Sequence, residues 1–336
     1  LEHEKIDKEY QELMEKIKEY QAILADETLL YAVIKQEILA IKAKYGDKRR
    51  TQIMHHVEVI EDEDLIHEET SVFTLSHLNY IKRTALMTYK SQKRGGRGIM
   101  GMNTREEDFV KDLFLGSTHD YILFFTNKGR VYRLKGYEVP EAGRTARGNA
   151  IVNLIEISAG ETITAMIPVK EFTKDSYLVM ITKDGIIKKT DMMSFANIRK
   201  GGLTAVSLKE EDSLISVLVT NGQDEIFVAT RNGMGIKFHE QDVRPMSRQA
   251  IGVKAITLKQ NDYVVSAVKG IAGTKILNVT EKGYGKKTNI EDFNTQYRGG
   301  KGVKIHQLTD KTGLLTGVLV IDEKEELMLI TSEGVI

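Results

Sequence analysis

One pattern recurs through most of this 336-residue chain and limits what it can fold into. An apolar run leads into Thr-x-x-Gly, and a second run, apolar and basic, follows. The clearest copies are 121–134, 177–190, 225–238 and 275–288, with a partial copy at 326–336. A divergent first copy spans 71–83, where Asn79 takes the place of the glycine. Asn tolerates a positive φ better than any residue except Gly. The hydroxyl residues that anchor the copies are Ser76, Thr126, Thr182, Thr230, Thr280 and Thr331, spaced by 50, 56, 48, 50 and 51 residues. Each copy reads as a β-hairpin closed by a short turn such as Asn-Lys-Gly or Lys-Asp-Gly. Behind the hairpins, short apolar runs open at Gly98, Gly148, Gly202, Gly252 and Gly302, and apolar strands such as 213–219 and 263–268 follow. Four strands per unit at a fixed period predict a propeller-like array. A β-sandwich would not keep that period.

The 69 residues ahead of the repeats are of another kind. Ile6, Tyr10, Leu13, Ile17, Tyr20 and Leu24 alternate in spacings of four and three, an a/d heptad seam. A second amphipathic run holds Leu30, Val33, Ile34, Ile38 and Ile41 and ends at Tyr45 and Gly46, a residue suited to a helix C-cap. Two expectations stay open: a self-contained two-helix unit, or one arm of an antiparallel coiled coil whose partner lies upstream. Glu58, Glu61, Asp62, Glu63, Asp64, Glu68 and Glu69 then make an acidic linker. The expected division is helices over 1–50, linker over 51–69 and the β array over 70–336. The chain opens on Leu1 without an initiator Met and stops five residues after Thr331, so a fragment with an unfinished sixth unit is expected.

The zero net charge hides an asymmetry. Residues 1–69 carry 10 Lys/Arg against 18 Asp/Glu, while residues 70–336 carry 38 against 30. A basic β array points to a polyanionic partner. Cysteine is absent, which excludes disulfides and thiol chemistry. No apolar run of membrane-spanning length and no signal peptide occurs. The eight histidines show no metal-ligand spacing, and no nucleophile with a base is evident.

The basic residues fall at repeated places. Gln92, Lys93, Arg94, Gly95, Gly96, Arg97 and Gly98 put three cations and three glycines in seven residues, a bare backbone beside charge suited to phosphate oxygens. Gln296, Tyr297, Arg298, Gly299, Gly300, Lys301 and Gly302 repeat that frame. The segment 96–101 also fits G-x-G-x-x-G, but neither the preceding strand nor the following helix of a dinucleotide site is predicted. Lys82 and Arg83, Arg130 and Arg133, Lys188 and Lys189, Lys237, and Lys286 and Lys287 occupy successive second strands. Arg144 and Arg147, Arg199 and Lys200, Arg244 and Arg248, and Arg298 and Lys301 occupy successive loops beyond them. Together they predict a basic stripe that neutralises phosphates along a bent duplex without reading bases.

The segment 92–98 resembles the seven-residue box of the DNA gyrase A family, Gln-Arg-Arg-Gly-Gly-Lys-Gly, with Lys93 and Arg97 exchanging lysine for arginine. The N-terminal helices and their ending at 46–51 are similar to the end of that family's breakage-reunion region. The resemblance implies a six-bladed β-pinwheel, a mainly β propeller-like fold with altered strand connection, preceded by the α-helical coiled-coil segment. It implies double-stranded DNA as the ligand, wrapped in a positive sense. It implies a second copy of gyrase A and two copies of gyrase B as partners in a heterotetramer, in the bacterial cytoplasm. The holoenzyme is an ATP-dependent type II topoisomerase that introduces negative supercoils. ATP and Mg2+ act through gyrase B, no cofactor belongs to this fragment, and the DNA-cleaving tyrosine lies upstream of it. The alternatives are the paralogous component of topoisomerase IV, whose box is usually degraded, and a propeller used as a protein-interaction scaffold.

Overall fold

A computed structural model of the chain describes residues 2–48, 51, 62–88 and 108–322. It divides into two compact units, residues 1–60 and 61–336.

The first unit is two helices, α1 (Glu2–Ala25) and α2 (Glu27–Tyr45), parted by the single residue Asp26. Asp26 has extended backbone angles, φ −131 and ψ 109, and its carboxylate accepts from the Thr28 amide at 2.8 Å, an N-cap that restarts the helix. Those bonds, to the Thr28 backbone and hydroxyl, hold its carboxyl below the usual range. Gly46 is the C-cap of α2, at φ −68, with its amide on the Lys42 carbonyl. Neither helix buries a residue, and the seam lies open from Ile6 (62% exposed) to Leu24 (84%). The two helices are thus present, with no fully buried residue between them.

The second unit is built from hairpins. The first is β1 (Thr70–Ser76) with β2 (Tyr80–Ala85), followed by β3 (Val110–Ser117). The second is β4 (Tyr121–Thr126) with β5 (Arg130–Lys135), followed by β6 (Asn149–Ala150) and β7 (Ile163–Val169). The third is β8 (Tyr177–Thr182) with β9 (Ile186–Asp191), followed by β10 (Leu203–Thr204) and β11 (Leu214–Thr220). The fourth is β12 (Glu225–Thr230) with β13 (Met234–His239), followed by β14 (Val253–Lys254) and β15 (Val264–Gly270). The fifth is β16 (Lys275–Thr280) with β17 (Gly285–Asn289), followed by β18 (Val303–Lys304) and β19 (Leu315–Ile321).

The Thr-x-x-Gly signature acts locally. In the second hairpin the Gly129 amide donates to the Thr126 carbonyl at 3.0 Å and the Arg130 amide to the Thr126 hydroxyl at 3.3 Å. Gly129 sits at φ +72, where a Cβ would meet the Val206 carbonyl oxygen at 2.5 Å. Asn79 holds the corresponding place in the first hairpin at φ 61, as its sequence position predicted.

Strands are exchanged between neighbouring units. The sheets run β3-β1-β2-β6, β7-β4-β5-β10, β11-β8-β9-β14, β15-β12-β13-β18 and β19-β16-β17. The two-residue strand that closes each four-stranded sheet thus arrives from beyond the next hairpin: Asn149 and Ala150 pair with Ile81 and Tyr80. The sequence placed that run within its own unit, and the pairing moves it one sheet back. Five sheets are present among the described residues where six blades were expected. The sixth copy of the pattern, 326–336, lies outside the described residues, and the fifth sheet has three strands.

The inner strands β3, β7, β11, β15 and β19 neighbour one another in succession. The apolar cores lie between adjacent sheets. Leu123, Phe125 and Val131 of the second sheet close on Leu178, Met180 and Phe195 of the third. Val179, Ile181 and Ile187 of the third close on Ile226, Val228 and Phe238 of the fourth. Each fully buried side chain of this size contributes roughly 1.5–3 kcal/mol.

Candidate nucleic-acid interface

The outer side of each sheet is formed by the second hairpin strand, the exchanged strand and the loop that delivers it. The sequence expects its recurrent cations there as phosphate contacts. The structure divides them into two groups.

The first group is structural. In the first four sheets the fourth residue of the second strand is a cation that reaches into the following unit and donates to a backbone carbonyl at its 3-10 turn. Arg83 Nε donates to the Val139 carbonyl at 3.0 Å, and Arg133 donates to that of Ala196. Lys189 Nζ donates to the Glu240 carbonyl at 2.9 Å, and Lys237 Nζ to that of Ile290 at 3.2 Å. The recurrence of charge at this position is thus an inter-sheet clamp. Lys189 and Lys237 are buried, and Glu240, itself wholly buried, places a carboxylate oxygen 3.7 Å from Lys189 Nζ.

The third residue of the second strand differs between sheets. Lys82 is 0% exposed and donates to the carbonyls of Gly143 (3.1 Å), Arg144 and Ala146 (3.0 Å). Lys188 is 0% exposed and donates to the carbonyls of Ala205 (2.6 Å) and Arg248. Burial, reinforced by the neighbouring Arg144, pulls the Lys82 ammonium down to about 8. Burial and Arg248 do the same for Lys188, also to about 8. Lys82, Lys188 and Lys189 are therefore corrected as direct phosphate contacts: their ammonium groups face backbone carbonyls inside the fold. The sequence could not show this, because all but one of the carbonyls, that of Ala205, belong to loops more than fifty residues away.

The arginines of this edge are half-buried and mostly engaged. Arg130 donates to the Gly201 carbonyl and, through Nε, to the Tyr132 hydroxyl at 3.2 Å. Arg248 Nη1 donates to the Ser194 carbonyl at 3.1 Å. Arg298 donates from Nε to the Asp242 carbonyl at 2.8 Å and from Nη1 to the Lys254 carbonyl at 3.1 Å. Arg147 lies 5.5 Å above the Tyr80 ring, and Arg144 stands beside Lys82.

The second group faces solvent: Arg199, Lys200, Arg244, Lys286, Lys287 and Lys301. To these the structure adds Lys254 and Lys304, exposed on the exchanged strands β14 and β18. The signal for them was the repeated Gly-Val-Lys at 252–254 and 302–304.

The box Gln92 to Gly98 lies outside the described residues, as does the 96–101 segment. Its second copy, 296–302, is a loop laid against the preceding unit. The Gly299 amide donates to the Ala255 carbonyl at 2.6 Å, and the Thr257 amide to the Gly300 carbonyl at 2.8 Å. Gly299 at φ +82 permits that approach, and Tyr297 points outward at 68% exposure.

The acidic segment departs from a free linker over its described part. Glu63 pairs with Lys135 at 2.7 Å, Glu69 with Arg83 at 3.1 Å, and Glu68 accepts from the Ser117 hydroxyl at 2.9 Å. Its carboxylates thus neutralise cations of the first two sheets. Among the described residues no group of three His, Cys, Asp or Glu could hold a metal ion, and no helix is long and apolar enough to cross a membrane.

Hairpin-built sheets, four of which borrow a closing strand from the next unit, define the class: a strand-exchanged β-propeller. The family model described as "DNA gyrase C-terminal domain, beta-propeller" matches residues 70–116, 120–170, 176–221, 224–269 and 275–322. The DNA gyrase A protein of Halalkalibacterium halodurans is 60% identical over the whole chain, and that of Clostridium acetobutylicum is 53% identical over 335 residues. The chain spans 40% of the length of each of these relatives. A solved DNA gyrase A C-terminal domain superposes with TM-score 0.67 at 25% identity, covering 79% of this chain and 88% of that one. A topoisomerase IV C-terminal domain superposes with TM-score 0.64 at 29% identity, covering 77% and 79%. The chain belongs to the DNA gyrase A family, and its β unit is that family's C-terminal propeller.

Proposed function

We propose that the β unit binds double-stranded DNA along its exchanged-strand edge and bends it into a wrap. Within an ATP-dependent type II topoisomerase, that wrap presents a segment for passage and so leads to negative supercoils. One observation carries the reading: in a chain of this family, exposed cations collect on the exchanged strands and their loops, at Arg199, Lys200, Lys254, Lys301 and Lys304. Cations along this edge neutralise phosphates, release counterions and offset the cost of bending, about 1–6 kcal/mol for a short smooth bend. The box Gln92 to Gly98 supplies the densest charge and anchors the wrap. Partners follow from the family: gyrase B, which carries ATP and Mg2+, and a second copy of gyrase A, in the cytoplasm. The fragment does no chemistry itself.

The test is topological. Relaxed circular DNA is incubated with the chain, relaxed again by a type I topoisomerase, freed of protein and read for linking number. A positive shift that disappears when Lys93, Arg94 and Arg97 become Ala supports chiral wrapping anchored at the box. Tight, salt-dependent binding without a shift would favour holding DNA without wrapping it, and salt-insensitive binding of a protein in place of DNA would favour a scaffold.

A further inference from the structure

The geometry points to Lys82 and Lys188 as positioning residues for DNA binding: each buried ammonium fixes the loop that presents cations to the duplex, without touching the duplex itself. This rests on the DNA-binding reading above.

The two lysines occupy the same place, the third residue of a second strand, two sheets apart. Tyr132 and Ile236 fill that place in the sheets that follow each, and both are buried or nearly so. The blade architecture therefore does not require a cation there, and an apolar side chain satisfies it. Replacing either lysine alone takes a donor from the carbonyls it bonds, so its role is tied to the loop that supplies them.

What they hold is specific. The acceptors of Lys82 are three carbonyls within four consecutive residues, Gly143 to Ala146. One ammonium, with three donors, gathers them and makes that loop curl around it. Arg144 and Arg147 stand on the same loop, and Asn149 and Ala150, the closing strand, follow directly. Lys188 ties the Arg248 carbonyl to that of Ala205, and the Arg248 loop leads into Val253 and Lys254. Each lysine thus sits behind a loop that carries arginines at the sheet edge: half-buried Arg144 and Arg147 on one, half-buried Arg248 and exposed Arg244 on the other. It sits there although burial and an adjacent arginine disfavour its charge. Loosening either loop scatters its arginines, so phosphate contacts are lost while every cation of the edge remains in the chain.

The experiment measures the affinity of the 336-residue chain for a linear duplex across a salt series. The unsubstituted chain comes first: no salt-dependent binding would sink the DNA reading and this inference with it. Given binding, Lys82→Met and Lys188→Met should each weaken it about tenfold and flatten the plot of log affinity against log salt by about one to two phosphate contacts. In a chain already carrying Arg144→Ala and Arg147→Ala, Lys82→Met should add almost nothing. Ile236→Val, which disturbs packing at the same strand position, should leave affinity unchanged. Wild-type affinity in both methionine variants overturns the inference, as does a loss fully additive to the arginine substitutions or matched by Ile236→Val.

If the methionine variants do not fold, the unsubstituted chain still decides. The charged side chains that bear on these ammonium groups are Arg144 and Arg248. Affinity should then drop between about pH 7 and about pH 9, below the range of ordinary lysines. A flat profile there overturns the inference equally.

Discussion

Lys189→Met is the sharpest test of the inter-sheet clamp. The substitution keeps the length of the side chain and removes its charge. In the native chain Lys189 Nζ bonds the Glu240 carbonyl at 2.9 Å and lies 3.7 Å from the Glu240 carboxylate. That carboxylate is wholly buried and keeps two other donors, the Thr220 hydroxyl at 2.7 Å and the Asp224 amide at 2.8 Å. Removing the ammonium therefore strands a buried anion rather than simply deleting a contact, and breaking a buried pair on one side costs about 3–5 kcal/mol. At about 2–4 °C per kcal/mol for a domain of a few hundred residues, the midpoint should fall by roughly 6–20 °C. Lys237→Met is the internal comparison: its partner Glu225 is partly open to solvent at 27%, so the expected loss is only about 1–2 kcal/mol. Adding Glu240→Gln to Lys189→Met removes the stranded charge and keeps an acceptor, so the double variant should regain about 2 kcal/mol. Urea and thermal unfolding followed by circular dichroism read all four proteins. A Lys189→Met loss below about 1 kcal/mol, or a double variant no better than the single, would refute the clamp as an energetic unit.

Three further outcomes are expected. Gly148→Ala puts a Cβ 2.4 Å from the Ile81 carbonyl oxygen at φ +85, so it should destabilise by about 3 kcal/mol or more, whereas Gly143→Ala, with nothing within 4 Å, should change unfolding by less than about 0.5 kcal/mol. Lys82 and Lys188 titrate at about 8 in the folded chain against 10.5 when unperturbed, so between these values the unfolded chain holds more protons. Stability should accordingly rise with pH across that window and be insensitive to these groups below it; urea unfolding at stepped pH should show the rise shrink in Lys82→Met and Lys188→Met. Glu63→Gln with Glu69→Gln frees Lys135 from its carboxylate and leaves Arg83 with Glu141 alone, so duplex binding at low salt should tighten a few-fold and the gain should fade at high salt. Unchanged affinity at low salt would mean that these two cations lie off the DNA path.

The hairpins were legible in the sequence because their causes are local. Thr126, Gly129 and Arg130 make the turn among themselves, and the Thr and Gly recur at 182 and 185, 230 and 233, and 280 and 283. Strand exchange was not legible: Asn149 and Ala150 carry no pattern that names Tyr80 and Ile81 as partners. The cations were visible but their direction was not. In Ile187-Lys188-Lys189-Thr190 the alternation of a strand would expose one lysine or the other, and both are buried because loops from the next unit cover them with carbonyls. Lys254 and Lys304 were overlooked since a strand of two residues has too little length to show which side faces out. The acidic segment read as solvated because its partners, Arg83 and Lys135, come from different hairpins.

The exchanged strands also set a schedule for synthesis. The first hairpin is complete at Ala85, but its sheet closes only when Asn149 and Ala150 have been made. The second hairpin is complete at Lys135 and waits for Leu203 and Thr204. A nascent chain folds from its N-terminus as it leaves the ribosome, so assembly trails translation by one full repeat. At every moment the newest sheet presents an unpaired edge, the kind of edge that recruits a strand from another molecule. Neighbouring ribosomes on one message would hold such edges close together, and a pause between repeats would prolong the exposure.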